Sequence, residues 1–443
     1  MQKHNINIVI NRLVVTALYM FMWVLYFRYL SFRFQGIPGY YFEDVSFHKF
    51  SLVLPFILLI SFFISLKVSN ISDIIFISSF YVVYYPLIYI SFPRIDILIP
   101  VFLNISITIF LWDIFKSVNS NLENRERKQN YLFLILFVII FTFIFIGVFG
   151  FKTQINYVSS LYEIRSEFKE SVDRVRSYIF ILAEYSIIPL CLYLLFNTPK
   201  FIYKILSFII ASILTIQIFF ISALKSVLFI MPFLVLGYFL LKESMKNRKT
   251  IYLDRLIGAF SLLGILFIIS INLFKIPEWF RYLIDHSLRR FLVSPPVNAY
   301  YHILYTVEQY GWFNIGNRSG IMGNIVSKVF YGTDGNAPAG LIADALSRYG
   351  ILFFIYFPLI YVLFLLFLRN IVRKLSLPNQ FILFGFYIYV LTNTSLLTAQ
   401  ITYGMFLMIL IVLIIDKKIK PLKSLLKPIR YMSKDFDKYS TLF

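Results

Sequence analysis

The stretch YLFLILFVIIFTFIFIGVFG, Tyr131–Gly150, decides what kind of protein this is. It carries no charged side chain from end to end, and roughly 18 or more such residues make a helix long enough to cross the hydrocarbon core of a bilayer. A helix is the form such a run takes in lipid, because it satisfies its own backbone N–H and C=O groups where no water is present to do so. Comparable runs recur at about residues 8–29, 50–68, 72–92, 96–115, 178–196, 201–221, 226–241, 255–274, 349–368, 380–397 and 400–415. The spacing predicts about twelve transmembrane helices in an all-α integral membrane protein, a single polytopic domain over residues 1–443. Composition agrees: 59% of the residues are hydrophobic and the mean hydropathy is +0.78, more than a water-facing surface can carry. The first run is long and lacks a small-residue cleavage site before Arg33, so it reads as a retained helix and not as a secretory signal.

The formal charge is +20. In a soluble chain that would suggest nucleic acid, but here much of it lies in short connectors and in a basic tail over 416–443, where the positive-inside rule explains it without a nucleic-acid partner. With the N-terminus cytoplasmic, the inside connectors are those holding Lys116, Arg125, Arg127 and Lys128, then Lys200 and Lys204, then Lys242, Lys246, Arg248 and Lys249, then Arg369, Arg373 and Lys374. The alternation closes with the C-terminus also inside. Cys191 stands alone in an apolar run, which excludes disulfides and cysteine metal sites. There is no Walker loop, no His-Glu-x-x-His and no Gly-x-Ser-x-Gly elbow, and His4 and His48 lie away from any cluster, so no cofactor and no metal is expected.

Two segments on the other side are longer than the rest, a medium loop at 151–177 and a long loop at 275–348, and long loops usually carry function. Both are rich in cations on the face that the charge rule leaves poor: Lys152, Arg165, Lys169, Arg174 and Arg176 in the first, and Lys275, Arg281, Arg289, Arg290, Arg318, Lys328 and Arg348 in the second. In the medium loop Ser160-Leu-Tyr-Glu163 fits a capping box, predicting a helix that runs on into the sixth span with Arg165, Lys169 and Arg176 along one side. Such a stripe suits an anion, arginine above all because its planar fork matches phosphate oxygens; a solvated, salt-bridged helix is the plainer reading. In the long loop, Trp279, Leu283, Leu288 and Phe291 form an apolar side beside the row Arg281, Asp285 and Arg289, which predicts an amphipathic interfacial helix. Ser294 before Pro295 and Pro296 predicts a capped helix start, followed by Tyr300, Tyr301, His302, Tyr305 and Glu308. Tyrosines there can stack on sugar rings or anchor the chain at the membrane interface.

The long loop ends in a glycine-rich polar stretch, Tyr331–Gly350, leading into a short helix, with Asn336 placed to cap it and Asp344 further along. A helix start of this kind attracts anions. Glu184 lies several residues inside the sixth span, where a carboxylate needs a polar partner or cavity. Lys225 is the only charge in its tight connector.

In Leu161-Tyr-Glu-Ile-Arg165, Ser222-Ala-Leu-Lys225-Ser226, the Arg289-Arg290 pair and Gly335-Asn336-Ala-Pro-Ala-Gly-Leu-Ile-Ala-Asp344, in this order and with this topology, the chain resembles the Wzy-type oligosaccharide repeat-unit polymerases of bacterial O-antigen and capsule assembly. The resemblance implies a GT-C-like membrane glycosyltransferase of the inner membrane, inverting and metal-independent, that joins undecaprenyl-diphosphate-linked repeat units at the periplasmic face and works beside a chain-length regulator protein. Arg165 and Arg290 carry over as functional residues. Arg289, Arg281, Arg176, Lys169, Lys225, Asn336 and Tyr301 are candidates for holding diphosphate or sugar, and Asp344, Glu184 and His302 for the general base. Related O-antigen ligases have a histidine near the start of the segment matching Asn336–Asp344, which this chain lacks. A lipid-linked oligosaccharide flippase or other transporter, a ligase and a non-catalytic scaffold are the other classes that the helix count allows.

Overall fold

A computed structural model describes residues 2–33, 45–118, 131–152, 168, 171–222, 226–246, 251–273, 277–278, 281, 288–313, 319–333, 337–338, 340–394 and 396–415. The chain is an all-α, multi-pass membrane protein. Among the described residues nine helices are long and apolar enough to cross a bilayer: Asn7–Arg33, Ile71–Ser91, Ile95–Lys116, Tyr131–Phe149, Arg174–Asn197, Phe201–Ser222, Val227–Met245, Asp254–Ile271 and Gly350–Val372. Two shorter apolar helices, Phe47–Phe63 and Met405–Ile415, account for further parts of the predicted set.

The run expected as one helix over 380–397 is instead divided into Leu377–Phe384, Tyr387–Asn393 and Leu396–Ile401. The first break falls at Gly385-Phe386, where glycine weakens the helix. Beside the second, the Asn393 amide donates to the Tyr389 carbonyl at 2.9 Å and the Thr394 hydroxyl to the Val390 carbonyl at 2.8 Å. At the other end the Gln380 amide donates to the carbonyls of Val372 and Leu375, tying off the preceding helix.

The chain divides into two compact units, each assembled from separated stretches. The first comprises Met1–Leu111, Ser244–Leu365 and Tyr387–Ala399. Its interior is aromatic, with Trp23, Tyr26, Tyr84, Tyr85, Tyr89 and Tyr361 fully buried, and it is stitched by hydroxyls: Thr16 bonds Ser61 at 2.7 Å and Tyr81 at 2.9 Å, and Ser79 bonds Tyr361 at 2.7 Å. A two-residue antiparallel ladder pairs Lys67 with Tyr252 and Val68 with Ile251. In this unit Arg33 also meets Glu278, and Arg94 meets Glu308; each pair, like the ladder, joins segments that the predicted alternation puts on one face of the membrane.

The second unit comprises Trp112–Glu243, Leu366–Phe386 and Gln400–Phe443. Asn197 and Asn379 exchange amide hydrogen bonds at 2.9 Å in both directions, and the Gln217 side chain makes a reciprocal pair with the backbone of Lys152. Phe196 stacks on Tyr238 with centroids 4.4 Å apart. Gly237 lies directly against the Phe381 ring, leaving no room for a Cβ there.

Candidate functional site

Three short segments are wound as π-helix: Phe80–Tyr84, Ala183–Ile187 and Arg289–Val293. Each is followed two residues on by proline, at Pro86, Pro189 and Pro295. A proline ring collides with the carbonyl four residues back and offers it no N–H, and widening the preceding turn relieves both faults. Proline alone does not force this, since Pro55, Pro100, Pro232 and Pro358 lie within helices that stay α. Two of the π segments, Phe80–Tyr84 and Arg289–Val293, pack against each other in the first unit.

The segment Arg289–Val293 carries the arginine pair. It continues without interruption into the helix Ser294–Tyr310, so Ser294 is the first residue of that helix and makes no cap; the residue before it, Val293, is already in right-handed helical conformation. The expected helix start after Ser294 is therefore a π-to-α junction, because the two prolines are accommodated by a wide turn in place of a chain break. Pro296 leaves the Leu292 carbonyl without its helical donor, and the indole of Trp23, fully buried in the first span, supplies one at 2.8 Å. Leu292 and Val293 point into the core while Phe291 stacks on Tyr389, with centroids 6.2 Å apart and rings 12° from parallel. Arg290 is exposed and Arg289 is half-buried. These contacts hold the backbone turn that carries the two arginines, and an ordered base lowers the cost of binding an anion.

On the following helix, Tyr301 and His302 are both buried. Tyr301 lies flat on Phe330, centroids 4.3 Å apart at 13°, and edge-on to Tyr331. Its ring is engaged in packing, so it does not stand open as a platform for a sugar. The His302 Nε2–H donates to the Ala337 carbonyl at 2.8 Å, which makes the neutral ring the Nε2-protonated tautomer. Burial pushes this imidazole down to about 4, against the pull of the Ala337 carbonyl. Around it the Tyr331 hydroxyl donates to Asn298 at 2.6 Å and the Ala337 N–H to the Gly323 carbonyl at 3.0 Å, so His302 braces the turn that leads into the last large helix.

That helix, Gly340–Val372, is two helices joined at Gly350, whose φ of 61° and ψ of −154° only glycine adopts readily. Asp344 is half-buried on the first of them. Gly340 begins it with φ +70°, and a Cβ there would meet the Thr392 carbonyl oxygen at 2.8 Å. Asn336, the expected cap, lies outside the described residues, as do Arg165, Lys169 and Lys225.

In the second unit, Arg176 is exposed and lies 3.7 Å from Asp173. Asp173 has extended backbone and its carboxylate accepts from the Arg176 N–H at 2.8 Å, so the helix entering the sixth span starts at Arg174. A helix running unbroken from Ser160 into the sixth span is thus excluded, since the chain just before Arg174 is non-helical at Asp173. Glu184 is fully buried within the π segment of that span. Next to it Tyr185 packs edge-on to Tyr403, and Ser186 donates to the Gly404 carbonyl at 3.2 Å.

The structure therefore brings Arg289, Arg290, Tyr301 and His302 onto one continuous π-to-α element and sets Arg281 in the same unit, against Tyr29. Sequence reasoning missed Trp23, Tyr29, Arg33 and Arg94 as parts of this region. The signal available for Trp23 was the Pro295-Pro296 pair, which announces a carbonyl in need of an outside donor. Arg94 sits between Asp96 and Glu308, bonded at 2.9 and 2.8 Å, and these carboxylates hold its guanidinium protonated more firmly than usual. No protein-family model, curated protein or solved structure matches the chain.

Proposed function

We propose that this chain is the polymerase that joins undecaprenyl-diphosphate-linked oligosaccharide repeat units into O-antigen or capsular polysaccharide at the periplasmic face of a bacterial inner membrane, as a metal-independent, inverting glycosyltransferase of GT-C-like fold. The observation that carries this reading is the Arg289-Arg290 pair, rooted in a proline-braced π turn with Arg290 exposed. The resemblance of four short segments to the Wzy-type polymerases supports it.

The chemistry follows from what guanidinium groups can do. The acceptor sugar hydroxyl attacks the anomeric carbon of the growing chain, the bond from that carbon to the diphosphate breaks, and the electron pair leaves with undecaprenyl diphosphate. Negative charge grows on the diphosphate as the bond lengthens, and fixed cations aimed at it lower the barrier. The hydroxyl proton passes to a base; of the candidates, Asp344 is half-buried and on the long-loop side, whereas His302 has Nε2 committed to Ala337 and Glu184 lies inside the second unit.

The test uses purified full-length protein and a synthetic lipid-linked repeat unit. Arg290→Ala should reduce chain extension by about 10²-fold or more, the scale of removing one transition-state donor, with expression unchanged, and EDTA should leave the wild-type rate as it is. Full activity in Arg290→Ala would remove the arginine mechanism. In cells, a deletion strain should display single-repeat surface glycan; a strain displaying none would point to a flippase.

A further inference from the structure

Thr16 and Tyr19 lie three residues apart on the first span and so share a face. That face meets Ser61 of the helix Phe47–Phe63 and Tyr81 of the span Ile71–Ser91, with Tyr85 of the same span beside Tyr81. All five side chains are buried, Tyr81 being the most open at 4%. Tyr19 and Tyr81 stand near the middle of their spans, so the hydroxyls cluster at the level of the bilayer where neither bulk water nor lipid offers a partner.

Each hydroxyl brings one proton to donate. Thr16 meets Ser61 at 2.7 Å and Tyr81 at 2.9 Å, and these two contacts use two of the five protons and leave three. The Tyr19 hydroxyl is buried and has no hydrogen-bond partner. The same holds for Tyr85, whose hydroxyl faces Ser61 short of hydrogen-bond geometry. Neither ring is placed to swing its hydroxyl away, because Tyr81 packs edge-on to both, with centroids 5.0 Å from Tyr19 and 5.3 Å from Tyr85. A buried hydroxyl without a partner is costly, and phenylalanine would fill the same space without that cost. A cluster with protons to spare and lone pairs still open is matched by a molecule that both accepts and donates, and buried water does this with about three bonds in polar interiors.

We propose that Thr16, Tyr19, Ser61, Tyr81 and Tyr85 form a binding site for a buried water molecule between the first three helices. The water accepts from the hydroxyls of Tyr19 and Tyr85 and donates to the open lone pairs of the Thr16, Ser61 and Tyr81 set. It thereby anchors the π turn Phe80–Tyr84, to which Tyr81 belongs, to the first span, and that turn packs against the one bearing Arg289 and Arg290. The site is independent of glycosyl transfer, since it is read without a turnover assay.

The test is made on full-length protein in a non-ionic detergent. Tyr19→Phe and Tyr85→Phe each remove one oxygen and keep the ring. If the hydroxyls hold a water, each variant should lower the Tm by roughly 1–3 °C, the scale of one lost hydrogen bond in a chain of this length. If they are merely unpartnered, removing them relieves a cost and the Tm rises. A second measurement reads the water itself. Hydroxyl radicals made by an X-ray pulse arise wherever water lies, so Tyr19 should be oxidised faster than Tyr361, which is as deeply buried but bonded to Ser79. Thr16→Val, which replaces one hydroxyl of the site by a methyl group, should bring the Tyr19 rate down to that of Tyr361. An unchanged or raised Tm in either phenylalanine variant, equal oxidation of Tyr19 and Tyr361 in the wild type, or a Tyr19 rate unaffected by Thr16→Val overturns the proposal.

Discussion

His302 combines a candidate role read from its type with an environment that only its neighbours create. Burial lowers its imidazole to about 4, whereas an unfolded histidine titrates near 6.5. Above pH 6.5 neither state takes up the proton and the stability is fully present. As pH falls below 6.5 the unfolded chain binds a proton that the folded one refuses until about pH 4, so stability is lost through that window, by roughly 2–3 kcal/mol at pH 4.5. Thermal unfolding in detergent between pH 7 and 4.5 should therefore show a Tm decline in the wild type that is shallower in His302→Gln. An equal slope in both would assign the pH response to other groups. The sequence named Tyr301 and His302 as candidates because their types suit sugar and proton chemistry. It could not show that Phe330 covers one and the Ala337 carbonyl takes the other, because those partners come from a separate helix and turn.

The π segments are the elements that a reading of hydropathy could not foresee, although the prolines that accompany them are plain in the chain. A lone proline in a helix has several outcomes, and what selects among them is whether the surroundings can satisfy the carbonyl left open. At Leu292 the answer is Trp23. Trp23→Phe keeps the ring but removes the donor and should cost about 1–3 kcal/mol of stability, the penalty for a buried unsatisfied group. Pro296→Ala restores a backbone N–H able to serve the same carbonyl, so the Trp23→Phe penalty should shrink in the Pro296→Ala background. A double-mutant cycle read by thermal unfolding measures this, and additive effects would show that the two donors do not compete. The medium loop shows the same limit: Asp173 captures the Arg176 N–H, so the helix entering the sixth span begins at Arg174, a start that the capping-box pattern at Ser160 did not indicate.

At the scale of the whole molecule, hydropathy and charge bias make a claim about sidedness that can be tested directly. Cys191 is fully buried, so the wild type should remain unlabelled by a membrane-impermeant maleimide in sealed vesicles. Cysteines introduced at Lys152 and Lys328 should then react from one side only, and those at Lys67 and Lys246 only from the other. Labelling of Lys67→Cys and Lys328→Cys from the same side would break the alternation. All four positions are exposed, so failure to react from either side is not the expected outcome for any of them.

The amino-acid sequence by itself determined the class of this protein, because the length of an uncharged run and the absence of water in a bilayer leave a helix as the available form for a lone span. It also drew attention to the two long loops, whose cations depart from the charge alternation that the connectors predict. Tertiary structure decided how those cations are held. Whether Arg290 stands exposed, whether Arg281 lies on Tyr29 and whether Glu278 reaches Arg33 depend on which helices pack together, and segments as far apart as Trp23 and Leu292 meet only after folding. The division of 380–397 belongs to the same category: its apolar average is that of a span, and the breaks at Gly385-Phe386 and after Asn393 are seen only in the folded chain.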